Sequence, residues 1–68
     1  MILSVRQLQC LQLVAEGKSS QEIADVLGLS IRTVDHYVGA ACRKLGARSR
    51  TQAVVDALRR GLIGSRRI

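Results

Sequence analysis

The sequence predicts an all-α domain of four helices. Three observations carry that expectation. Apolar residues recur at helical spacing in four separate stretches, and each stretch is preceded by a serine and followed by a glycine. No alternating polar–apolar run is long enough for a strand, and proline is absent. At 68 residues the chain has room for one core only, since chains this short bury about 60% of their unfolded surface. With no Trp, no Phe and a single Tyr (Tyr37), that core must be Leu, Val, Ile and Ala, which suits small, close-packed helices.

The first helix is expected over Val5–Glu16, with Ser4 as N-cap and Gly17 as its stop. Cys10, Leu11, Val14 and Ala15 form its inward stripe, with Leu8 at the edge and Leu13 pointing largely away. Ser19-Ser20-Gln21-Glu22 reads as a capping box, in which the Ser19 hydroxyl takes the Glu22 N–H and the Glu22 carboxylate returns the bond. It opens a short second helix, Gln21–Leu27, that buries Ile23, Ala24 and Leu27. Gly28 supplies a left-handed turn residue, Leu29 plugs the turn, and Ser30 caps a third helix running to about Leu45. Its inward face is Ile31, Val34, Val38, Ala41 and Leu45, and Gly46 ends it. Ser49 and Gln52 begin a fourth helix, Arg50–Arg60, ended by Gly61. That helix turns Val54, Ala57 and Leu58 inward, with Leu62 and Ile63 folding back behind it. Residues 64–68 are expected to be a frayed basic tail of this single domain.

Several function classes find no support. One His, few carboxylates, no Ser-His-acid set and no metal-ligand spacing give an enzyme, a cofactor or a metal nothing to rest on. Cys10 and Cys42 fall at apolar helical positions and read as small core residues of a reducing compartment. No apolar run approaches a membrane span and the N-terminus lacks a signal pattern, so a cytoplasmic location is expected.

The charge is uneven. Of the formal net +6, residues 1–29 hold Arg6 and Lys18 against Glu16, Glu22 and Asp25. Residues 30–50 hold Arg32, Arg43, Lys44, Arg48 and Arg50 against Asp35 alone, and residues 51–68 hold four arginines against Asp56. Basic charge that begins at the third helix suggests a surface facing a polyanion.

Ser20–Gly39 refines this reading. Ala24 stands where two helices approach closely, Gly28 sits four residues on at the turn, and Val34 locks the second helix onto the first. Two helices joined by so short a glycine turn, the second followed by a basic stretch, match the DNA-binding helix-turn-helix, with helix three as the recognition helix. At about 100° per residue, Arg32, His36, Gly39 and Arg43 lie opposite the buried stripe, with Asp35 and Ala40 beside them. Arg32 and His36 can donate to guanine edges or phosphates, Asp35 can accept from a cytosine amino group, and Gly39 allows close approach.

The chain resembles the LuxR-type (LuxR/FixJ) DNA-binding domain of bacterial transcription regulators. The resemblance is carried by Leu3-Ser4, Ala15-Glu16-Gly17, Glu22-Ile23-Ala24, Leu27-Gly28-Leu29-Ser30, Thr33-Val34, Lys44-Leu45-Gly46, Arg48-Ser49-Arg50, Gln52-Ala53-Val54 and Gly61-Leu62-Ile63, and it spans residues 3–63. It implies a four-helix domain that binds pseudo-palindromic double-stranded DNA as a dimer, with Arg32, Asp35, His36 and Gly39 at the variable, base-reading positions. Thr33 and Lys44 match positions used mainly for phosphates; Ser30, Tyr37, Arg43, Arg48 and Arg50 complete the expected phosphate set. The resemblance also points to the fourth helix as a dimer surface, through Gln52, Val55, Asp56 and Arg59, with Val55 expected to be exposed. The isolated domain is then expected to be monomeric and to form a homodimer on DNA. Two departures stand out: Gln7 and Gln9 replace the Glu-x-Glu pair that usually opens the first helix, and Tyr37 stands where a His is often found, with His36 one position earlier. The rival reading is a protein-interaction or dimerisation module that contacts RNA polymerase or a partner regulator.

Overall fold

A computed structural model describes residues 2–64 of the chain and contains four helices: α1 (Val5–Ala15), α2 (Ser20–Leu27), α3 (Ile31–Leu45) and α4 (Arg50–Arg59). Each begins on a serine whose hydroxyl accepts the backbone N–H three residues on: Ser4 from Gln7, Ser19 from Glu22, Ser30 from Thr33 and Ser49 from Gln52. Such a cap satisfies one of the orphan donors of the first turn and is worth about 1 kcal/mol. Ser4 and Ser19 form full capping boxes, closed by the side chains of Gln7 and Glu22. The helix bounds agree with the expectations to within one residue, except that the capping box of α1 with Gln7 was not foreseen.

The turn between α2 and α3 depends on Gly28, which has φ +69 and ψ 37. That left-handed geometry lets the Leu29 N–H reach back to the Ala24 carbonyl at 2.9 Å, closing α2 and re-aiming the chain within two residues.

α3 is the shared wall of two apolar clusters. On one side Leu3, Leu11, Ala41, Leu45, Ala53, Ala57 and Ile63 pack between α1, α3 and α4. On the other Cys10, Ile23, Ala24, Val34 and Val38 pack between α1, α2 and α3. Ala41, Ala53 and Ala57 are completely buried, so α3 and α4 meet through small side chains at close approach. Cys10 is fully buried and Cys42 half-buried; both are free thiols, and burial pushes the Cys10 thiol pKa up, a change that keeps it protonated and inert.

Several placements differ from the sequence expectation. Ile31 is 41% exposed rather than buried, because helical counting carries the α3 stripe one turn further than packing does. Leu13 is half-buried against the α2–α3 cluster rather than turned away: α1 is packed by α2, α3 and α4, so it has more than one inward side. On α4 the fully buried pair is Ala53 and Ala57, with Val54 and Leu58 only half-buried, and Val55 is half-buried rather than exposed. Gly64 does not fray: Gln12 of α1 holds both its N–H (2.8 Å) and its carbonyl (3.1 Å). Residues 65–68 of the expected tail lie outside the described residues.

Candidate nucleic-acid interface

The side of α3 opposite Val34, Val38, Ala41 and Leu45 faces outward. Arg32, His36 and Arg43 are exposed along it, with Asp35 and Lys44 exposed on its two flanks, and Gly39 and Ala40 are half-buried between them. The arginine at the lower end folds over the lean middle: a Cβ built on Gly39 would stand 3.5 Å from the Arg43 guanidinium. That is ordinary contact with the mobile end of a side chain. The outward middle of α3 is therefore lean and overlain by the end of a flexible cationic side chain. Tyr37 is half-buried against the α2–α3 cluster, and its ring meets that of His36 edge-on at 6.2 Å.

At the N-terminus of α3 the Ser30 hydroxyl accepts the Thr33 N–H at 3.0 Å and donates to the Thr33 hydroxyl at 2.9 Å. The two hydroxyls sit where the helix dipole is positive, an arrangement that favours an anion. At the other end the Lys44 ammonium donates to the Gln7 side-chain oxygen of α1 at 3.1 Å. Gln7 is 8% exposed, and the same oxygen accepts the Ser4 N–H at 2.9 Å. Lys44 is thus tethered by a neutral amide rather than by a carboxylate. Arg48 is exposed in the turn before α4.

Asp35 and Arg50 were both expected to face a ligand singly, and the structure joins them. The Arg50 Nη2 donates to Asp35 Oδ1 at 3.0 Å and to the Ser20 hydroxyl at 2.8 Å, and that hydroxyl donates to the same Asp35 oxygen at 2.7 Å. α2, α3 and α4 are stitched at one point. With side chains 39% and 55% exposed, this ion pair contributes only about 0–1 kcal/mol to stability. Ser20 was missed by sequence reasoning, which saw only a helix start. The one signal available was Asp35 itself, the lone carboxylate in residues 30–50.

On the outer side of α4, Gln52 and Arg59 are exposed while Val55 and Asp56 are half-buried, and Gln52 donates to Asp56 at 3.0 Å along the helix. No helix among the described residues is long and apolar enough to cross a membrane.

A family model described as bacterial regulatory proteins of the luxR family matches residues 1–57. The chain belongs to the LuxR family. The spore germination protein GerE of Bacillus subtilis is 38% identical over 60 residues, which is 88% of this chain and 81% of GerE. The structure of the transcription factor GerE superposes with a TM-score of 0.90 at 30% identity, covering 94% of this chain and 96% of GerE. The transcriptional activator VanR of Vibrio anguillarum is 47% identical over 62 residues, or 91% of this chain, but the chain spans only 26% of VanR's length. VqmA of Vibrio cholerae, in a complex with ligand and DNA, gives a TM-score of 0.81 at 42% identity over 88% of this chain and 26% of VqmA. The LuxR-family domain is thus the helix-turn-helix of transcription regulators, with the four helices and the absence of strands among the described residues that this fold requires.

Proposed function

We propose that this LuxR-family domain reads specific double-stranded DNA by laying α3 in the major groove, without catalysis and without a cofactor, in the bacterial cytoplasm. The observation that supports it most is the two-sidedness of α3. One face is buried in both core clusters, and the other presents Arg32, Asp35, His36 and Gly39 between Ser30 and Thr33 at one end and Arg43 and Lys44 at the other. A helix about 10–12 Å across fits a groove about 12 Å wide. Arg32 and His36 donate to base edges, Gly39 keeps the centre of the contact thin, and Ser30, Thr33, Tyr37, Arg43, Lys44 and Arg48 hold phosphates on either side.

The domain acts on DNA as a homodimer and is monomeric when isolated. Gln52, Val55, Asp56 and Arg59 form the pairing side of α4, a patch far smaller than the roughly 800 Å² per partner of a stable interface. Support for the pairing itself, though not for its dependence on DNA, comes from VqmA, which has been described as a dimer in the absence of target DNA. Titrating mixed-sequence duplex by fluorescence anisotropy at two salt concentrations tests the reading. Affinity must fall steeply with salt, because phosphate contacts release counterions. A domain that instead docks RNA polymerase or a partner regulator would show no such binding.

A further inference from the structure

We propose that Arg50 and Ser20 are positioning residues that aim Asp35 at a base, so that Arg50 governs sequence preference rather than anchoring a phosphate. The inference rests on the DNA-binding reading above. Asp35 is the only carboxylate in residues 30–50, and it stands on the exposed side of α3. A free carboxylate there repels phosphates, and covering it with DNA strips its water and leaves a costly unpaired charge. The structure resolves both difficulties. Oδ1 accepts from the Ser20 hydroxyl at 2.7 Å and from the Arg50 guanidinium at 3.0 Å, while Oδ2 carries no partner among the described residues. The Arg50–Ser20 bond at 2.8 Å closes the ring, so the carboxylate is held from two other helices and cannot rotate freely. Its charge is compensated by Arg50, and its remaining oxygen is a fixed acceptor, suited to the exocyclic amino group of a cytosine. Since the pair is solvent-exposed and adds little to fold stability, its removal leaves the domain folded and changes what the domain recognises.

The experiment compares the 68-residue wild type with Arg50→Gln, Ser20→Ala, Asp35→Asn and the double variant Arg50→Gln/Asp35→Asn. Each is put through selection from a randomised duplex library, then titrated against the selected duplex and its single base-pair changes at several salt concentrations. Thermal melts confirm folding. The expected result is a preference of about tenfold at one base pair that Asp35→Asn and Arg50→Gln each abolish, with the other positions intact. Ser20→Ala weakens the preference at that same pair. The double variant loses no more than either single one and keeps the wild-type salt slope, because it removes one charge of each sign from outside the phosphate contacts. If Arg50→Gln keeps every preference and the double variant's slope becomes shallower by about one unit, Arg50 is a phosphate anchor and the inference is overturned while DNA reading stands. Should the wild type select no sequence at all, both fall together.

Discussion

Gln7 shows how much a single side chain can decide. Its amide oxygen accepts the Ser4 N–H and the Lys44 ammonium together, so one buried group both closes the start of α1 and holds a cation of α3 in place. An amide does this without neutralising Lys44. Gln7→Glu keeps the capping box and adds an acid near the positive end of α1, so the fold is unharmed or gains about 0.3–1 kcal/mol. It also pairs the Lys44 charge, so binding to all duplexes weakens alike and the salt slope becomes shallower, up to about one unit. An unchanged slope by anisotropy would show that Lys44 does not contact phosphate. The outward positions of Arg32, Asp35 and His36 are legible from helical rotation alone. The bonds joining Asp35 to Ser20 and Arg50 are not, because each crosses fifteen residues of sequence and depends on how three helices pack.

Helix limits follow from short-range chemistry, which is why they can be read directly. A serine and the residue three positions on are close however the rest of the chain folds, and Gly28 announces a turn that disfavours a Cβ for backbone reasons alone. A Cβ at Gly28 meets nothing within 4 Å, so the cost of substitution lies in φ +69 and not in crowding. Gly28→Val therefore costs more than about 1 kcal/mol, which lowers the melting midpoint of a domain this size by several degrees. An unaltered midpoint would contradict the turn. Glu22 offers a pH test. Its carboxylate accepts the Ser19 N–H at 2.8 Å and that bond, followed by the Ser19 side chain, holds its pKa below the ordinary 4.5. A pKa depressed by folding contributes stability that is present above the unfolded value and lost as pH falls through the lower folded one. Replacing Glu22 with Gln should remove that acid limb, so the gap between the two stability curves closes in strong acid. If the gap is independent of pH, the capping bond does not discriminate the charged form. What element-level patterns do not reveal is which of several faces is covered. Leu13 and Val55 are both more buried than their helical positions suggest, since α1 has three neighbours and α4 meets the core through its own small Ala53 and Ala57, which let it approach closely enough to draw its flanks inward.

The molecule measures 28 × 26 × 20 Å, and α3, about 22 Å long, spans most of it. Because both core clusters close on α3, its outward face cannot turn without disrupting the whole interior, and the backbone positions from which Arg32, Asp35 and His36 project are set by the fold itself. The proposed pairing through α4 rests on less surface than the reading by α3. Half-buried Val55 offers little area, so Val55→Glu should leave the free domain monomeric and folded while abolishing cooperative loading of a second copy on a palindromic duplex, as sedimentation would report. Two copies still loading cooperatively would move the dimer surface elsewhere, with the groove of about 400 Å³ between Leu8, Leu13, Val26, Leu27 and Leu62 the next place to look. Backbone amide NMR of the domain titrated with duplex reports residue by residue whether α3 meets DNA. The largest shifts are expected on residues 30–44 together with Arg48 and Arg50; shifts confined to the Leu8–Leu62 groove, with α3 undisturbed, would mean that DNA is met elsewhere.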